Sequence, residues 1–276
     1  MFSAVCEDLI QLDHEVIAMV DHSLALPIPA GVTQVSIGCE NQVDATLLKT
    51  ADNADQILLI APESDGILEH YAALLSPFSQ IFLSPGLEFI RLTSDKWKCH
   101  QWLSKRDVPC PKTIRFESNS LPSVADSFFP CVLKPIDGAG SEGVKVIDTQ
   151  KELAACNKPM LLQQFAPGTP ASVSVVARPD GTTTILEPGR QIFDAEPFGI
   201  HLRTEFSLDL SLQERAIRLA RLAVDALPAT HGYFGMDMVL GENEASDVVV
   251  EINPRLTTSY AFYRDWSNEN VASRFF

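Results

Sequence analysis

The chain has 276 residues, 46% of them apolar and 8% aromatic, and its 21 lysines and arginines stand against 36 aspartates and glutamates, a net charge of −15. That apolar fraction excludes a disordered chain, and the length exceeds what one hydrophobic core usually serves, so two or three packed units are expected. So acidic a surface repels nucleic acid and anionic membrane, which leaves small molecules as the expected partners and a local basic pocket as the place for any phosphate.

The opening MFSAVCEDLIQLDHEV has acidic residues where a secretory leader carries basic ones, and no apolar run approaches the roughly 20 residues of a membrane span. A soluble, cytoplasmic protein is expected, and a homo-oligomer is left open. The cysteines at 6, 39, 99, 110, 131 and 156 form no CxxC pair and are read as reduced thiols. The chain begins inside what reads as the first helix, with no strand and glycine turn before it, which leaves either a truncated domain or a late-assigned start. Residues 15–92 alternate apolar runs (15–20, 33–38, 56–63, 80–85) with helical stretches (44–54, 66–75), the pattern of a parallel α/β sheet. A helix is predicted from about 94 to 105 with Ser94 as its cap, followed by a linker with Pro109 and Pro111. Strands are expected at KTIRF, CVLKPI, GVKVID and MLLQQF, with a short helix at TQKELAAC. Beyond the break at Pro167-Gly168, ASVSVVARPDGTTTILEP reads as a hairpin about Asp180-Gly181. Residues 211–227 read as an amphipathic helix with a capping box, Ser211 and Glu214. GYFGMDMVL and VVVEINPRL are two strands joined by an acidic turn.

The loop KPIDGAGSEGV has glycines at 138, 140 and 143 and matches GxGxxG. A dinucleotide fingerprint needs a helix after the glycines, whereas VKVID is a strand. A protein-kinase loop takes its lysine from a later strand, whereas Lys134 precedes these glycines and neither HRD nor DFG follows. What remains is a strand lysine, Lys134, beside a mobile glycine hairpin (Gly138, Ala139, Gly140, Ser141) that covers phosphates, with metal carboxylates far downstream. Asp237 lies on one late strand, and Glu251 and Asn253 share a face of the next by their two-residue step. Together they would offer magnesium three hard oxygen ligands. Arg255, two residues further, is read as continuing that face to meet anionic oxygen. His201 and Arg203 read either as substrate contacts or as an exposed loop.

Ser94-Asp95-Lys96, VLKPIDGAGSEGV, LLQQFAPG, GYFGMDMVL and VVVEINPRL, in this order over about residues 56–262, resemble the ATP-grasp superfamily. The resemblance implies an α/β ATP-grasp fold: an N-terminal parallel α/β pre-ATP-grasp domain (1–93), a small α+β lid with its leading helix (94–165), and a C-terminal antiparallel-sheet α+β domain (166–276). It gives Lys96 and Lys134 to the ATP phosphates and the backbone of Gln163, Gln164, Phe165 and Ala166 to adenine. Glutamine at 163 and proline at 170 stand where the family has acidic residues that hold the ribose. ATP with Mg²⁺ or Mn²⁺ is the implied cofactor pair. GTPASVSVV, the GRQ segment and EINPRLTTSY are similar to carboxylate–amine ligases of the tyramine–L-glutamate ligase type. That similarity implies an acyl phosphate, Lys134 and Arg255 as catalytic groups, and a small carboxylate and an amine as substrates. An ATP-grasp small-molecule kinase and a nucleotide-binding protein without turnover remain as alternatives.

Overall fold

The computed structural model describes residues 1–21, 23, 27–118, 122–140, 142–154, 156–194 and 199–276. In chain order, α1 (Phe2–Gln11) precedes the parallel pair β1 (Val16–Asp21) and β2 (Val32–Ile37), and α2 (Val43–Ala51), α3 (Ile67–Leu74) and α4 (Leu87–Thr93) follow. The runs 56–63 and 80–85 contribute one parallel bridge, Ile57 to Phe82, in place of two full strands. Ile57 N–H reaches Ile81 O and Leu83 N–H reaches Ile57 O, both at 2.8 Å. The ladder stops there because Leu59 N–H is taken by the Ser84 hydroxyl at 2.8 Å. Leu59, Leu68, Leu75, Phe82 and Ile90 close a small core around this unit.

Helix α5 (Lys96–Ser104) is capped by Asp95, whose carboxylate accepts from Lys98 N–H at 2.9 Å. Ser94 was the expected cap, but it still has helical torsions at the end of α4, whereas a capping residue must be extended, as Asp95 is (φ −93°, ψ 101°). The next four strands, β3 (Thr113–Phe116), β4 (Cys131–Pro135), β5 (Lys145–Ile147) and β6 (Met160–Gln164), form an antiparallel sheet in the order β3-β6-β4-β5. One face carries Cys131, Leu133, Ile147 and Leu162 into a private core. Strand alternation puts Lys134, Leu161 and Gln163 on the other face. The helix expected at TQKELAAC is a single 3₁₀ turn, Gln150–Glu152, because Leu153 turns extended and drops into that core.

The second half is built on a six-stranded sheet of β7 (Thr169–Ala177), β8 (Thr183–Ile185), β9 (Gly189–Phe193), β10 (His201–Glu205), β11 (Gly232–Leu240) and β12 (Val248–Asn253). Its order is β10-β9-β7-β11-β12, with β8 also on β7, and every pairing is antiparallel. Ala171, Val173, Val175, Phe234, Met236 and Met238 point to one face, against Ala216, Leu219, Ala220 and Ala223 of α6 (Leu210–Ala226). Helix α7 (Ser259–Ser267) packs on the opposite face, and its Tyr260 and Tyr263 join α1 in a further core. Asp209, not the Ser211–Glu214 box, caps α6: it is extended and accepts from Leu212 N–H at 2.9 Å.

All six cysteines are free. Among the described residues no helix is long and apolar enough to cross a membrane. The turn from β11 to β12 is clamped to α6 by an exposed pair, Arg218 with Glu244 at 3.0 Å, and by a buried one, Arg215 with Asp247. Arg215 Nε donates to Asp247 at 2.9 Å and Nη2 to Gly241 O at 2.7 Å, while Gly241 N–H donates back to Asp247 at 2.9 Å. The side chains are 11% and 4% exposed, so removing one partner strands a buried charge. Asp247→Ala is therefore expected to lower stability in urea unfolding by about 3 kcal/mol.

Candidate functional site

The polar face of the large sheet is where the chain concentrates charge. Asp237 on β11 is the direct register partner of Glu251 on β12, and Gly235 partners Asn253, so the three expected ligands share a face. A bulge after Asp237 makes this compatible with the core: it lets Val249 and Ile252, three residues apart, both turn to the apolar side. Asn253 Nδ2 donates to Asp237 Oδ2 at 3.0 Å and Gln191 Nε2 to Oδ1 at 2.9 Å. Burial and the neighbouring Glu251 push the Asp237 carboxyl up to about 6, although these two donors act against them. Burial also raises Glu251, but Lys96 and Lys134 more than offset it and hold that carboxyl below its ordinary value.

Among the described residues no three His, Cys, Asp or Glu side chains form a metal cluster of their own. Two carboxylates and the amide oxygen of Asn253 are hard donors that suit a magnesium ion completed by phosphate oxygens. The raised Asp237 fits the same reading, since a buried carboxyl beside a second carboxylate would be relieved by a cation.

Opposite this cluster stand the two lysines. Lys96, at the first turn of α5, places Nζ 3.1 Å from Glu251 Oε1 and 2.8 Å from the carbonyl of Gly138. Its N–H also donates to Ile136 O at 2.9 Å, so the glycine loop is drawn down onto it. Lys134 on β4 is 4% exposed, and its ammonium has no hydrogen-bond or ion-pair partner among the described residues. Burial lowers its pKa to about 8; the attraction of Glu251 only partly compensates, and Lys96 adds repulsion. Gly140 and Gly143 have φ of +68° and +73°, which side chains rarely adopt. Ala139 sits between the first two glycines, and Ser141 lies outside the described residues.

Arg255 departs from its expected position. Strand β12 ends at Asn253, Pro254 cannot donate to a ladder, and Arg255 N–H folds back to Asn253 O at 2.8 Å. Off the strand face, Arg255 Nε donates to Glu63 Oε2 at 2.8 Å and Nη1 to Leu256 O at 3.2 Å. Glu63 is 3% exposed and its Oε1 has no partner. Sequence reading missed Glu63; the available signal was an acidic residue ending an apolar run of the N-terminal unit, where open α/β sheets place ligands. Two residues on, Asp65 N–H donates to Asp137 Oδ2 at 2.8 Å, so one turn touches both Arg255 and the root of the glycine loop.

At the end of β6, the N–H groups of Gln164 and Phe165 donate to Lys112 O at 2.8 Å and Pro130 O at 3.0 Å. Among the described residues the Ala166 N–H has no partner, and Gln163 donates its side-chain amide to Thr113 at 3.1 Å. The two open residues separate: Arg203 is exposed and paired with Glu205 at 2.8 Å, whereas His201 turns inward between two threonine hydroxyls.

The ATP-grasp domain family matches residues 93–259, and the pre ATP-grasp 3 domain matches residues 14–88. The chain belongs to the ATP-grasp family, with the expected α/β ATP-grasp fold. It resembles the tyramine–L-glutamate ligase of Methanocaldococcus jannaschii, with 26% identity over 227 residues, 82% of this chain and 64% of that protein. The chain thus spans less than two thirds of that relative. An ATP-grasp superfamily protein from Archaeoglobus fulgidus has a similar structure, with TM-score 0.72 and 21% identity over 96% of this chain and 76% of that one. L-amino acid ligase from Bacillus licheniformis gives TM-score 0.73 at 16% identity, over 93% of this chain and 64% of that one.

A carboxyl whose pKa is about 6 when folded, above the ~3.9 of an unfolded aspartate, opposes folding wherever it must ionise. The penalty is absent below the unfolded value, grows between the two and is complete above the folded one. Asp237→Asn should therefore raise the melting temperature of the metal-free protein near pH 7, and the advantage should vanish below about pH 4.

Proposed function

We propose that the chain binds Mg-ATP beneath the glycine loop and uses it to join a carboxylate to an amine. The observation that carries this reading is the closed cluster of Lys96, Lys134, Asp237, Glu251 and Asn253, two cations facing two carboxylates beneath a glycine loop. The relative named as a tyramine–L-glutamate ligase supports amide formation as the use of that cluster.

In this reading adenine lies at the end of β6, where the Ala166 N–H is the donor left for it beside Gln163, Gln164 and Phe165. Lys96 exchanges its bond with the Gly138 carbonyl for phosphate oxygen, and Lys134 gains the anionic partner it lacks. Gly138, Ala139, Gly140 and Ser141 cover the phosphates. Asp237, Glu251 and Asn253 would hold Mg²⁺ or Mn²⁺, which supplies neutralisation of charge developing on the transferring phosphoryl. Arg255 orients the acceptor: Glu63 and Leu256 hold Nε and Nη1, leaving Nη2 for the carboxylate. A carboxylate oxygen attacks the γ-phosphorus, ADP leaves, and an acyl phosphate forms. The amine nitrogen then attacks the acyl carbon, the carbon–oxygen bond to phosphate breaks, and an amide and inorganic phosphate leave. The acyl phosphate must be kept from water, which a lid carrying the glycine loop would do; the segment from about Val108 to Gln163 is proposed as that lid.

ADP release is expected to require Mg²⁺, an acid such as L-glutamate and an amine, and hydroxylamine should replace the amine to give a hydroxamate. A stable phosphorylated product formed without amine would instead make this a kinase, and nucleotide binding with no turnover would make it a binding protein. In calorimetry Lys134→Ala should weaken ATP binding by about 1.5–3 kcal/mol, the range for hydrogen bonds to charged groups. Arg255→Ala should cut turnover while leaving ATP affinity largely intact. Hydrogen exchange at Gly138–Gly143 should slow when Mg-ATP is added; unchanged exchange would remove the lid.

A further inference from the structure

Four hydroxyls and one imidazole form an unbroken line of hydrogen bonds from the surface to the polar face of the sheet. The exposed Thr258 hydroxyl lies 3.2 Å from His201 Nδ1, and His201 Nε2 lies 3.1 Å from Thr204 Oγ1. Thr204 Oγ1 lies 3.1 Å from Ser259 Oγ, which lies 3.1 Å from Ser172 Oγ. Thr204 and Ser259 are each 5% exposed and Ser172 6%. Ser172 on β7 is the register partner of Asp237, which puts their Cβ atoms about 5 Å apart on one face.

The line is assembled from two strands and a helix, β10, β7 and α7, and two local features make it. A bulge between His201 and Arg203 turns His201 and Thr204, three residues apart, to the same side. Gly189, the partner of Ser172, leaves the space into which Thr204 leans: a Cβ there would stand 2.2 Å from Thr204 Cγ2. Every member can both donate and accept. Each hydroxyl does so directly, and a neutral imidazole has one nitrogen of each kind. Among the described residues, the groups recorded against the His201 ring are Phe193, Phe262, the two threonine hydroxyls and the Arg203 backbone, none of them a charged side chain, and burial keeps the ring on the neutral side of its ordinary pKa. A clamp between strands needs neither amphoteric groups throughout nor an exposed end.

We infer that this line is a proton relay that takes a proton from the incoming amine, entering as an ammonium ion, and delivers it through His201 to solvent. The inference rests on the ligase reading above, which supplies the ammonium ion whose proton must leave before nitrogen can attack. The ammonium nitrogen gives one proton to Ser172 Oγ as the hydrogen bonds of Ser172, Ser259 and Thr204 shift by one place. The displaced proton lands on the unprotonated ring nitrogen of His201, and the proton on the other nitrogen leaves through Thr258 to water. The nitrogen lone pair, now free, forms the carbon–nitrogen bond as the carbon–oxygen bond to phosphate breaks. The second proton from nitrogen goes to the departing phosphate or to water.

The test compares two nucleophiles in one assay with L-glutamate and Mg-ATP: tyramine, which arrives protonated at neutral pH, and hydroxylamine, which arrives mostly neutral. Because a ratio of rates is read within each variant, the fraction of folded protein cancels. Thr204→Val and Ser259→Ala each interrupt the line. Each should lower the tyramine-to-hydroxylamine turnover ratio at least about tenfold, a modest share of a general-base contribution. Thr204→Ser, which keeps the hydroxyl, should restore the ratio. An unchanged ratio in both interrupting variants, with both rates falling together, would overturn the relay and leave these residues as structural ties. Absence of any hydroxamate from the unmodified protein would overturn the ligase reading, and the relay with it.

Discussion

The polar face of the large sheet holds two carboxylates, Asp237 and Glu251, directly opposite each other on neighbouring antiparallel strands. At about 5 Å and an effective dielectric constant near 20, their mutual repulsion is on the order of 3 kcal/mol. Within the sheet only the neutral donors of Gln191 and Asn253 relieve it; the positive charge comes from elsewhere in the chain, Lys96 from the start of α5 and Lys134 from the small sheet. Each of those groups is held by its own packing. The site is therefore a junction at which separate cores are tied together by charge, and Asp237, raised to about 6, shows that the tie is incomplete. A metal–nucleotide complex brings both the cation for the carboxylates and the anions for the lysines, which is a physical reason for a ligand to bind there.

The N-terminal unit enters this arrangement through one short turn. Glu63 meets Arg255 across 192 residues of chain, and Asp65 N–H meets Asp137 at the base of the glycine loop. Arg255 and the glycine loop thus share a support, and a change at one end of the turn has a short mechanical route to the other. The buried pair itself is a liability as well as a tie, because Glu63 Oε1 has no partner and the pair is costly to desolvate. Charge contrast at larger scale works in the same direction. A chain with net charge −15 repels anions over most of its surface, so the inward-facing Lys96 and Lys134 mark the cleft off from the rest of the molecule.

The strands of Asp237 and Glu251, Lys134 and the glycine hairpin were legible in the sequence because each is a local pattern: alternation along a strand, a lysine four residues before a glycine, left-handed backbone that glycine accepts. Local chemistry likewise determined the capped helices, although the caps fell on Asp95 and Asp209, because the extended torsions a cap requires were not visible in the letters. Tertiary structure alone decided the rest. Arg255 looked like the next residue on a strand face until Pro254 ended the ladder and Glu63 offered a buried carboxylate. The 56–63 and 80–85 runs had the composition of strands, but the Ser84 hydroxyl took the amide on which a longer ladder depends. The line from Thr258 to Ser172 joins residues up to 87 positions apart, and its members are ordinary serines and threonines in sequence. Period and propensity act over a few residues and can be read there. A hydrogen bond between distant side chains depends on register, bulges and the absence of a Cβ at Gly189, which exist only once the strands have paired.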